Sequence, residues 1–262
     1  MGWIGNPGKT MDARLEQEIA SSLEATTELL PLLPALFEGL DDLGSSPDTL
    51  ITVLRSFATE LKGAHALDLG CGNGAVSVAL ARDLEMRVLG VDALAPFLDE
   101  ARRRAVAASV ADRTTFRGGD LRHMLQAEGR FDVVTWMAMG ELLGDLHETV
   151  RQLRRVVRVG GLVVIEHEVR DNAQGAMPDL APLRASLTAQ GDEVLREVSV
   201  PAWQAREAEK SRHSQLRANA EKLAAADPFQ AASVLLYLER RTAGTARMAN
   251  HSHPHLWVLR RR

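Results

Sequence analysis

Short apolar runs alternate with helix-length segments along the middle of the chain, from residue 64 onward. The apolar runs have the length of strands and are Ala64–Leu69, Arg87–Val91, Thr114–Arg117, Phe131–Trp136 and Leu162–Glu166. The intervening segments predict helices over Gly74–Leu84, Ala95–Ser109, Leu121–Glu128 and Leu142–Val157. Such alternation predicts a parallel sheet with helices on both of its faces. The Gly160-Gly161 pair is expected to close the last of these helices and to open a fully buried strand.

Helices are also predicted on both sides of this alternating region. Residues 1–10 are rich in glycine and proline and predict a loose arm, and two or three helices are expected between Asp12 and Ser56. Ser46 is a candidate N-cap, because Pro47 would occupy the first position of a helix. The pattern after Arg170 predicts a helix over Ala181–Gln190, a strand over Glu193–Val200, a helical stretch over Ala202–Arg247 that breaks at Asp227-Pro228, and a last strand over His255–Arg260.

These elements predict an α/β protein made of four stretches of chain. Residues 1–60 would form an N-terminal arm and helical cap, and residues 61–200 a nucleotide-binding core. Residues 201–250 would form a helical insert, and residues 251–262 the final strand of the core. Because the insert stands between the last two strands, we expect it to form a lid together with the N-terminal helices.

The composition narrows the classes of function. The chain has 262 residues, of which 45% are hydrophobic and 25% charged, as in ordinary globular proteins. A net charge of −4 gives no electrostatic footprint for nucleic acid. No apolar run approaches the ~20 residues of a membrane helix, and the N-terminus has no apolar signal core. A single cysteine, Cys71, excludes a disulfide within the chain, so we expect a cytoplasmic protein without nucleic-acid or membrane partners.

The turn after the first predicted strand has the residues of a nucleotide-binding loop. Gly70 and Gly72 permit a sharp backbone turn and the close approach of a ligand. The glycines alone do not select the cofactor, because dinucleotide-binding domains use a similar spacing, which Gly70, Gly72 and Ala75 satisfy. Asp68, two positions before the first glycine, is the feature that distinguishes this loop from a dinucleotide-binding one.

Acidic residues end the next two predicted strands. Asp92 lies about 20 residues beyond the loop, where a carboxylate can accept hydrogen bonds from both hydroxyls of a ribose. Asp120 follows Gly118-Gly119, where its carboxylate could accept a hydrogen bond from an adenine amino group. Ligands of open α/β sheets bind at the carboxyl ends of the strands, so we expect these residues to share one site.

Taken together, these motifs resemble the class I S-adenosylmethionine-dependent methyltransferases, especially the small-molecule type similar to ubiquinone and menaquinone methyltransferases. The matching pieces follow the family order and are LDLGCGNG (67–74), GVD (90–92), GGD (118–120), FDVVTWMAM (131–139) and LRRVVRVGGLVVIEH (153–167). The resemblance implies a doubly wound, seven-stranded, mostly parallel sheet with the strand order 3-2-1-4-5-7-6 and an antiparallel last strand. It also implies S-adenosylmethionine as the cofactor and a small molecule as the methyl acceptor.

The resemblance further implies a set of cofactor-binding residues. The methionine part of the cofactor would lie along the glycine loop, whose residues are Asp68, Gly70, Cys71, Gly72 and Asn73. Asp92 would hold the ribose, and Ala93 would lie beside the adenine. Asp120 would bind the adenine amino group, with Leu121 packed next to it. The sulfonium side would be covered by the two residues at the end of the fourth strand, Trp136 and Met137.

Four other residues have both a chemical and a structural interpretation. His167, just beyond the fifth strand, is the one candidate for a catalytic base, because its ordinary pKa is near neutral; the alternative is a solvent-exposed histidine at a strand end. Cys71 is interpreted as a small buried hydrophobe rather than a nucleophile, since no base can be identified beside it. Glu141 and His147 could face the acceptor, but a helix surface explains them equally well.

Three alternating histidines near the C-terminus, His251, His253 and His255, could share one face of a strand and bind a metal ion. Pro254 lies inside this run and argues against a regular strand there. No cysteine or aspartate accompanies the histidines. The sequence therefore predicts no metal site.

The predicted reaction is in-line transfer of a methyl group from S-adenosylmethionine to the acceptor, for which the protein mainly aligns the two molecules and excludes water. Two alternatives stay open: a protein that binds S-adenosylmethionine without transferase activity, and a nicotinamide-dependent oxidoreductase of similar fold. A nucleic-acid methyltransferase is not expected, since TWMAM stands where such enzymes have an asparagine- or aspartate-proline-proline-aromatic motif. The sequence sets neither the acceptor nor the oligomeric state, and a homodimer is left open.

Overall fold

The computed structural model describes residues 13–126, 130–170, 178–248 and 252–262. Seven strands within these ranges form one sheet in the order β3-β2-β1-β4-β5-β7-β6. The strands are β1 His65–Leu69, β2 Arg87–Asp92, β3 Thr114–Gly118, β4 Phe131–Trp136, β5 Val157–Arg170, β6 Glu193–Ser199 and β7 Ser252–Arg260. Strands β1 to β5 are parallel, and β7 runs antiparallel between β5 and β6. The predicted strand order and the antiparallel last strand are confirmed.

Helices precede, separate and follow the strands. The α-helices are α1 Ala13–Ser22, α2 Leu33–Leu36, α3 Pro47–Leu54, α4 Ala58–Leu61, α5 Ala75–Asp83, α6 Ala95–Ala107, α7 Leu121–Met124, α8 Leu146–Leu153, α9 Ala181–Thr188, α10 Ala202–Ala226 and α11 Pro228–Met248. Two 3-10 helices, Thr27–Leu32 and Arg55–Phe57, precede α2 and α4. In the described part of the chain, no helix combines the length and the apolar character needed to cross a membrane.

Alternate side chains of the central strands pack into two apolar cores, one on each face of the sheet. On β1, Ala66 belongs to the core that includes residues of α3, α5 and α6, whereas Leu67 belongs to the core that includes residues of α8. On β4, Val133 and Val134 are divided in the same way. Because both faces are buried, these strands contain nearly continuous apolar runs, which is why the sequence pattern located them.

The chain divides into two compact units. One consists of Gly44–Pro201 with His251–Arg262 and contains the whole sheet. The other combines Met1–Leu43 with Ala202–Asn250, and its described residues are helical or lie in connecting turns. The N-terminal helices α1 and α2 and the insert helices α10 and α11 are therefore parts of one unit, although about 160 residues of the sheet unit separate them in sequence.

Polar contacts hold the helical unit together. The Nδ2 of Asn219 on α10 donates hydrogen bonds to the carbonyl oxygens of Leu36 at 2.9 Å and of Glu38 at 2.8 Å. The guanidinium of Arg212 on the same helix donates to Asp42 at 2.8 Å. The two bonds of Asn219 satisfy carbonyl groups at the end of α2 and just beyond it.

The Gly160-Gly161 pair lies inside β5, so the prediction that it closes a helix and opens this strand is wrong. The register of β5 against β4 shifts between Val157 and Leu162. Gly160 has a φ of +79°, and a Cβ on Gly161 would lie 2.7 Å from the carbonyl oxygen of Asp132. The two glycines therefore permit an irregularity within a strand rather than a boundary.

The helix before β5 is shorter than the predicted Leu142–Val157, because α8 begins at Leu146 and ends at Leu153. Its start is set by Asp145, whose carboxylate accepts a hydrogen bond from the backbone N–H of Glu148 at 2.8 Å. An aspartate in this N-cap position satisfies a backbone donor of the first turn and defines where the helix begins.

Pro254 lies within β7, contrary to the expectation that it would prevent a regular strand there. The backbone N–H of Val200 donates to the carbonyl oxygen of Pro254 at 2.9 Å, so the proline nitrogen faces the β6 side of the strand. The last pair between β6 and β7 joins Ser199 to His255. The proline therefore stands where the ladder requires no donor from it.

Two predicted segments lie partly or wholly outside the described residues. The loose arm predicted for residues 1–10 is outside them. The helix predicted over Leu121–Glu128 is present as α7, which ends at Met124, and residues 127–129 are outside the description.

Candidate active site

The loop between β1 and α5 contains three glycines in the left-handed conformation. The φ angles of Gly70, Gly72 and Gly74 are +71°, +49° and +81°, values that cost other residues about 1–2 kcal/mol. The backbone N–H of Gly70 donates to the carbonyl of Val91 at 2.9 Å and so ties the loop to the end of β2. A Cβ on Gly74 would lie 2.7 Å from the Cβ of Ala101, so this glycine also permits close packing of α5 against α6.

Asp68 lies on β1 just before the loop and has 2% of its surface exposed. Its Oδ2 accepts a hydrogen bond from the Ser77 hydroxyl at 2.6 Å, and its Oδ1 accepts one from the Thr135 hydroxyl at 2.7 Å. Burial raises the pKa of Asp68 to about 6, although the two hydroxyl hydrogen bonds act in the opposite direction. The carboxylate therefore joins β1, α5 and β4 behind the loop.

Asp92 ends β2 and bridges two backbone segments at the carboxyl edge of the sheet. Its Oδ2 accepts a hydrogen bond from the N–H of Gly72 in the glycine loop at 2.9 Å. Its Oδ1 accepts one from the N–H of Leu94 at 2.9 Å. Ala93, which separates Asp92 from Leu94 in the sequence, is half-buried. Burial raises the pKa of Asp92, against these backbone hydrogen bonds. The backbone N–H of Ala93 also lowers this pKa, and the carboxylate, with about four lone-pair sites, can accept further hydrogen bonds.

Asp120 follows β3 and is the N-cap of α7. Its Oδ1 accepts a hydrogen bond from the backbone N–H of Arg122 at 2.9 Å, and the Arg122 guanidinium forms an ion pair with the same carboxylate at 2.8 Å. Burial alone would raise the pKa of Asp120, but the hydrogen bonds and charge of Arg122 lower it. The next residue, Leu121, is buried. The carboxylate thus has protein partners before any ligand is considered.

The end of β4 lies beside β1 and leads into a sharp turn. Trp136 pairs with Leu69 across the two strands and is 1% exposed, and Met137 is 5% exposed. Ala138 and Gly140 follow with φ angles of +55° and +54°. A left-handed alanine is uncommon and indicates a turn that its surroundings hold in place. The contact of Trp136 and Met137 with a cofactor stays a prediction.

Met139, between these two left-handed residues, is a site residue that sequence reasoning missed. A Cβ on Gly70 would lie 2.1 Å from the Sδ of Met139, so the thioether covers this glycine. No sequence signal separates Met139 from a core methionine, because methionine fills irregular apolar gaps throughout proteins. Only the folded turn brings it to the glycine loop.

His167 is half-buried on β5, directly opposite His255 on β7. Burial lowers the pKa of His167, and the negative charge of Glu141 acts in the opposite direction. The imidazole is therefore neutral at neutral pH and can accept a proton. His147 is half-buried and lies within 2.9 Å of the side chain of Gln190, between α8 and the chain after α9.

Glu166 is a second buried residue at this edge that sequence reasoning did not single out; it is 4% exposed. Its Oε2 accepts a hydrogen bond from the backbone N–H of Ser46 at 3.2 Å. Ser46 occupies the predicted N-cap position before Pro47, but its hydroxyl makes no capping hydrogen bond. A Cβ on Gly44 would lie 3.8 Å from the Cβ of Ala138. Residues 44–46 therefore lie against both β5 and the turn after β4.

The remaining loop residues are buried. Cys71 packs in the apolar core, and a Cβ on Gly90 would lie 2.9 Å from its sulfur. Burial, with the negative charges of Asp92 and Asp68, raises the pKa of the Cys71 thiol well above its usual value. A protonated thiol is a poor nucleophile, which agrees with the interpretation of Cys71 as a small hydrophobe. Asn73 is 4% exposed.

The part of the chain that the structure describes contains no cluster of the three C-terminal histidines. His251 and the side chain of His253 lie outside the described residues. His255 is buried, and its ring stacks against that of Trp257 with 4.4 Å between the centroids. Among the residues whose placement is described, no group of three histidine, cysteine, aspartate or glutamate side chains is arranged to hold a metal ion.

Comparison with known families covers the part of the chain that contains the glycine loop, Asp92 and Asp120. Residues 66–161 match the family described as "Methyltransferase domain". This part of the chain is similar to methyltransferase domains. The resemblance of the sequence motifs to methyltransferases is thereby confirmed for the domain.

Individual relatives of the methyltransferase domain extend this finding. The chain is 35% identical over 103 residues to a demethylmenaquinone methyltransferase from Lactiplantibacillus plantarum, a match that covers 38% of this chain and 44% of the relative. The chain spans less than half the length of this relative and of another curated relative that it matches.

Solved structures share the fold. An S-adenosylmethionine-dependent methyltransferase from Geobacter sulfurreducens, in complex with S-adenosylhomocysteine, has a TM-score of 0.69 at 24% identity and covers 84% of this chain and 92% of its own. The [4+2]-cyclase SpnF has a TM-score of 0.67 at 18% identity and covers 94% and 96%. At these identities the likeness concerns the fold alone.

Proposed function

We propose that the protein is an S-adenosylmethionine-dependent methyltransferase that acts on a small-molecule acceptor. The observation that carries the proposal is the Asp92 carboxylate, which the N–H groups of Gly72 and Leu94 hold at the glycine loop of a methyltransferase domain. A carboxylate in this position with free lone pairs suits the two hydroxyls of a ribose. Curated relatives named as methyltransferases of small molecules support the same class of acceptor.

The residues around the loop suit the parts of this cofactor to different degrees. Gly70 and Gly72 offer backbone without a Cβ to the methionine part, and Ala93 and Leu121 offer small apolar surfaces to the adenine. Asp120 already accepts hydrogen bonds from Arg122, so an adenine amino group would share this carboxylate with the guanidinium. Asp68, with both oxygens engaged by hydroxyls, would act through the loop that it supports.

S-adenosylmethionine, when bound, supplies a methyl group on a sulfonium, which is electrophilic without further activation. The protein then has to bind and orient the reactants and exclude water. Asp92 and the loop backbone would bind the cofactor. The buried Trp136 and Met137, at the end of β4, would exclude water from the side where the acceptor approaches.

His167 is the proposed proton acceptor, should the acceptor atom carry a proton. Its half-buried imidazole has a pKa below the ordinary 6.5, so it is unprotonated at neutral pH and has a lone pair available. The proton of the attacking oxygen or nitrogen would pass to this lone pair.

A second candidate is a protein that binds S-adenosylmethionine but catalyses another reaction, or none. A [4+2]-cyclase has this fold, and the same fold hosts different chemistries, so the architecture does not by itself specify methyl transfer. A nicotinamide-dependent oxidoreductase is the third alternative, because the glycine spacing also suits a dinucleotide.

Calorimetric titration with S-adenosylmethionine, S-adenosylhomocysteine and NAD separates these candidates. We expect the first two to bind and NAD not to bind. Asp92→Ala should weaken binding at least tenfold, since a hydrogen bond to a charged group contributes about 1.5–3 kcal/mol. Asp99→Ala is the matched control, because Asp99 is an exposed carboxylate on α6 paired only locally with Arg102. Tighter binding of NAD than of S-adenosylhomocysteine would favour the oxidoreductase.

Methyl transfer itself requires an activity measurement. The protein would be incubated with methyl-labelled S-adenosylmethionine and a metabolite extract, and the products would be analysed by mass spectrometry. Label in a small molecule supports the transferase. Binding of the cofactor without any transfer of label favours the second candidate.

We also place the reaction in the cytoplasm, because a single buried thiol suits a reducing compartment. The acidic net charge favours a small-molecule acceptor over nucleic acid. A homodimer stays a proposal, which sedimentation of the purified protein would test.

A further inference from the structure

The turn after β4 places a thioether directly on the glycine loop. A Cβ built on Gly70 would lie 2.1 Å from the Sδ of Met139, 2.4 Å from its Cε and 3.3 Å from its Cγ. Distances this short mean that the last three heavy atoms of the Met139 side chain fill the space in front of Gly70. The absence of a Cβ at Gly70 is what admits them.

The surroundings of Met139 leave it partly exposed. Its side chain is half-buried and packs at the edge of the apolar core that includes Trp136 and Leu143. Its neighbours Ala138 and Gly140 are exposed. An unbranched side chain with three rotatable bonds can leave such a position without any backbone change.

We propose that Met139 competes with the methionine part of the cofactor for the space in front of Gly70. This inference rests on the proposed function, which assigns that space to the cofactor. Met139 ends in a thioether. S-adenosylhomocysteine also contains a thioether, at the point where its amino-acid part joins the adenosine. Two such groups cannot lie against Gly70 at once, so cofactor binding requires the Met139 side chain to rotate away.

The direction of the effect follows from this competition. When only a fraction of the molecules has the space open, the apparent dissociation constant exceeds the intrinsic one by the inverse of that fraction. Removing the thioether opens the space permanently and tightens binding. A Met139 that instead formed a wall of the cofactor site would contribute contacts, and its removal would weaken binding.

Calorimetry with two probes, S-adenosylhomocysteine and adenosine, tests the proposal on the full chain. Met139→Ala should bind S-adenosylhomocysteine about three- to tenfold more tightly than the wild type, as expected if one third or less of the molecules have the space open. Adenosine lacks the methionine part, so its affinity should stay the same. Met139→Leu keeps an apolar side chain of similar volume and should not tighten binding. Met124→Ala is the matched control, another half-buried methionine on α7.

Several results would overturn the proposal. They are unchanged or weaker binding of S-adenosylhomocysteine to Met139→Ala, equal tightening by Met139→Leu, and equal tightening for adenosine. Thermal unfolding of each variant establishes that it is folded, and Met139→Ser, which also removes the thioether and should tighten binding in the same way, covers the case in which the alanine variant is not. If the wild type and all variants bind adenosine but not S-adenosylhomocysteine, or bind neither, the proposed function fails as well. If the wild type binds S-adenosylhomocysteine normally and Met139→Ala does not tighten it, only the competition is refuted.

Discussion

Substitution of Asp68 by asparagine should stabilise the protein above pH 6. Burial raises the pKa of Asp68 from the ordinary 3.8 to about 6. A pKa difference of this size means that ionisation of the carboxylate lowers the free energy of unfolding by about 3 kcal/mol. Asparagine keeps the shape of the side chain without the charge. Its amide oxygen can accept from one of the two hydroxyls, Ser77 or Thr135, and its NH2 group can donate to the other.

The pH dependence has a definite sign. The pKa of Asp68 is higher in the folded than in the unfolded state, so its contribution to stability is present below about pH 4. That contribution is lost as the pH rises to about 6, because the unfolded carboxyl ionises first. The stability advantage of Asp68→Asn over the wild type should therefore be small at pH 4. It should grow to about 3 kcal/mol by pH 7 and then stay constant.

Urea unfolding followed by circular dichroism between pH 4 and pH 8 measures this difference. Wild type and Asp68→Asn should have equal m-values, so that the midpoint shift reports stability alone. Asp99→Asn, at an exposed position, should follow the wild type at every pH. A variant that is less stable than the wild type at pH 8, or an advantage that does not change with pH, would refute the reasoning. Lower stability at pH 8 would mean that the hydroxyl hydrogen bonds outweigh the cost of burying the charge. An advantage that is independent of pH would mean that ionisation of Asp68 is not its cause.

A buried charge that destabilises the fold is expected where the charge serves function. Under the proposed function, S-adenosylmethionine carries a positive sulfonium and S-adenosylhomocysteine does not. Affinity for the first should therefore rise through about pH 6, as Asp68 ionises, relative to affinity for the second. Asp68→Asn should remove this difference, which calorimetry at pH 5 and pH 8 would measure. An equal pH dependence for both ligands would show that the charge of Asp68 does not reach the sulfonium.

Two further predictions concern the loop and the proposed base. Gly74→Ala should lower the free energy of unfolding by about 2–4 kcal/mol, because a φ of +81° is unfavourable for alanine and the new Cβ would meet Ala101 at 2.7 Å. The control is Gly63→Ala, where φ is +75° but no atom lies within 4 Å of the new Cβ. This change should lower the free energy of unfolding by only about 1 kcal/mol. Equal losses in urea titrations would show that packing against α6 does not matter. His167→Gln should remove an acidic limb, centred below pH 6.5, from the pH profile of kcat/KM, because protonation of His167 abolishes its function as a base. A limb that persists in this variant would belong to another group.

The element boundaries illustrate where local pattern was sufficient. The runs that became β1, β2 and β4 were located to within one residue at each end, because burial on both faces leaves an apolar pattern that local sequence displays. The start of α8 was missed by four residues, since the Asp145 cap is a local signal that the apolar periodicity obscured. The length of β5 could not be predicted, because its irregularity at Gly160 exists only in the pairing with β4.

The sequence by itself determined the alternating architecture and the chemistry of the glycine loop. Gly70, Gly72 and Asp92 are recognisable because the loop and the strand end use backbone conformation and residue spacing, which are local properties. Only the tertiary structure decided that Met139 covers Gly70 and that Glu166 holds the chain at Ser46. These contacts join residues far apart in the chain. They depend on how side chains fill shared space, for which the sequence carries no periodic signal.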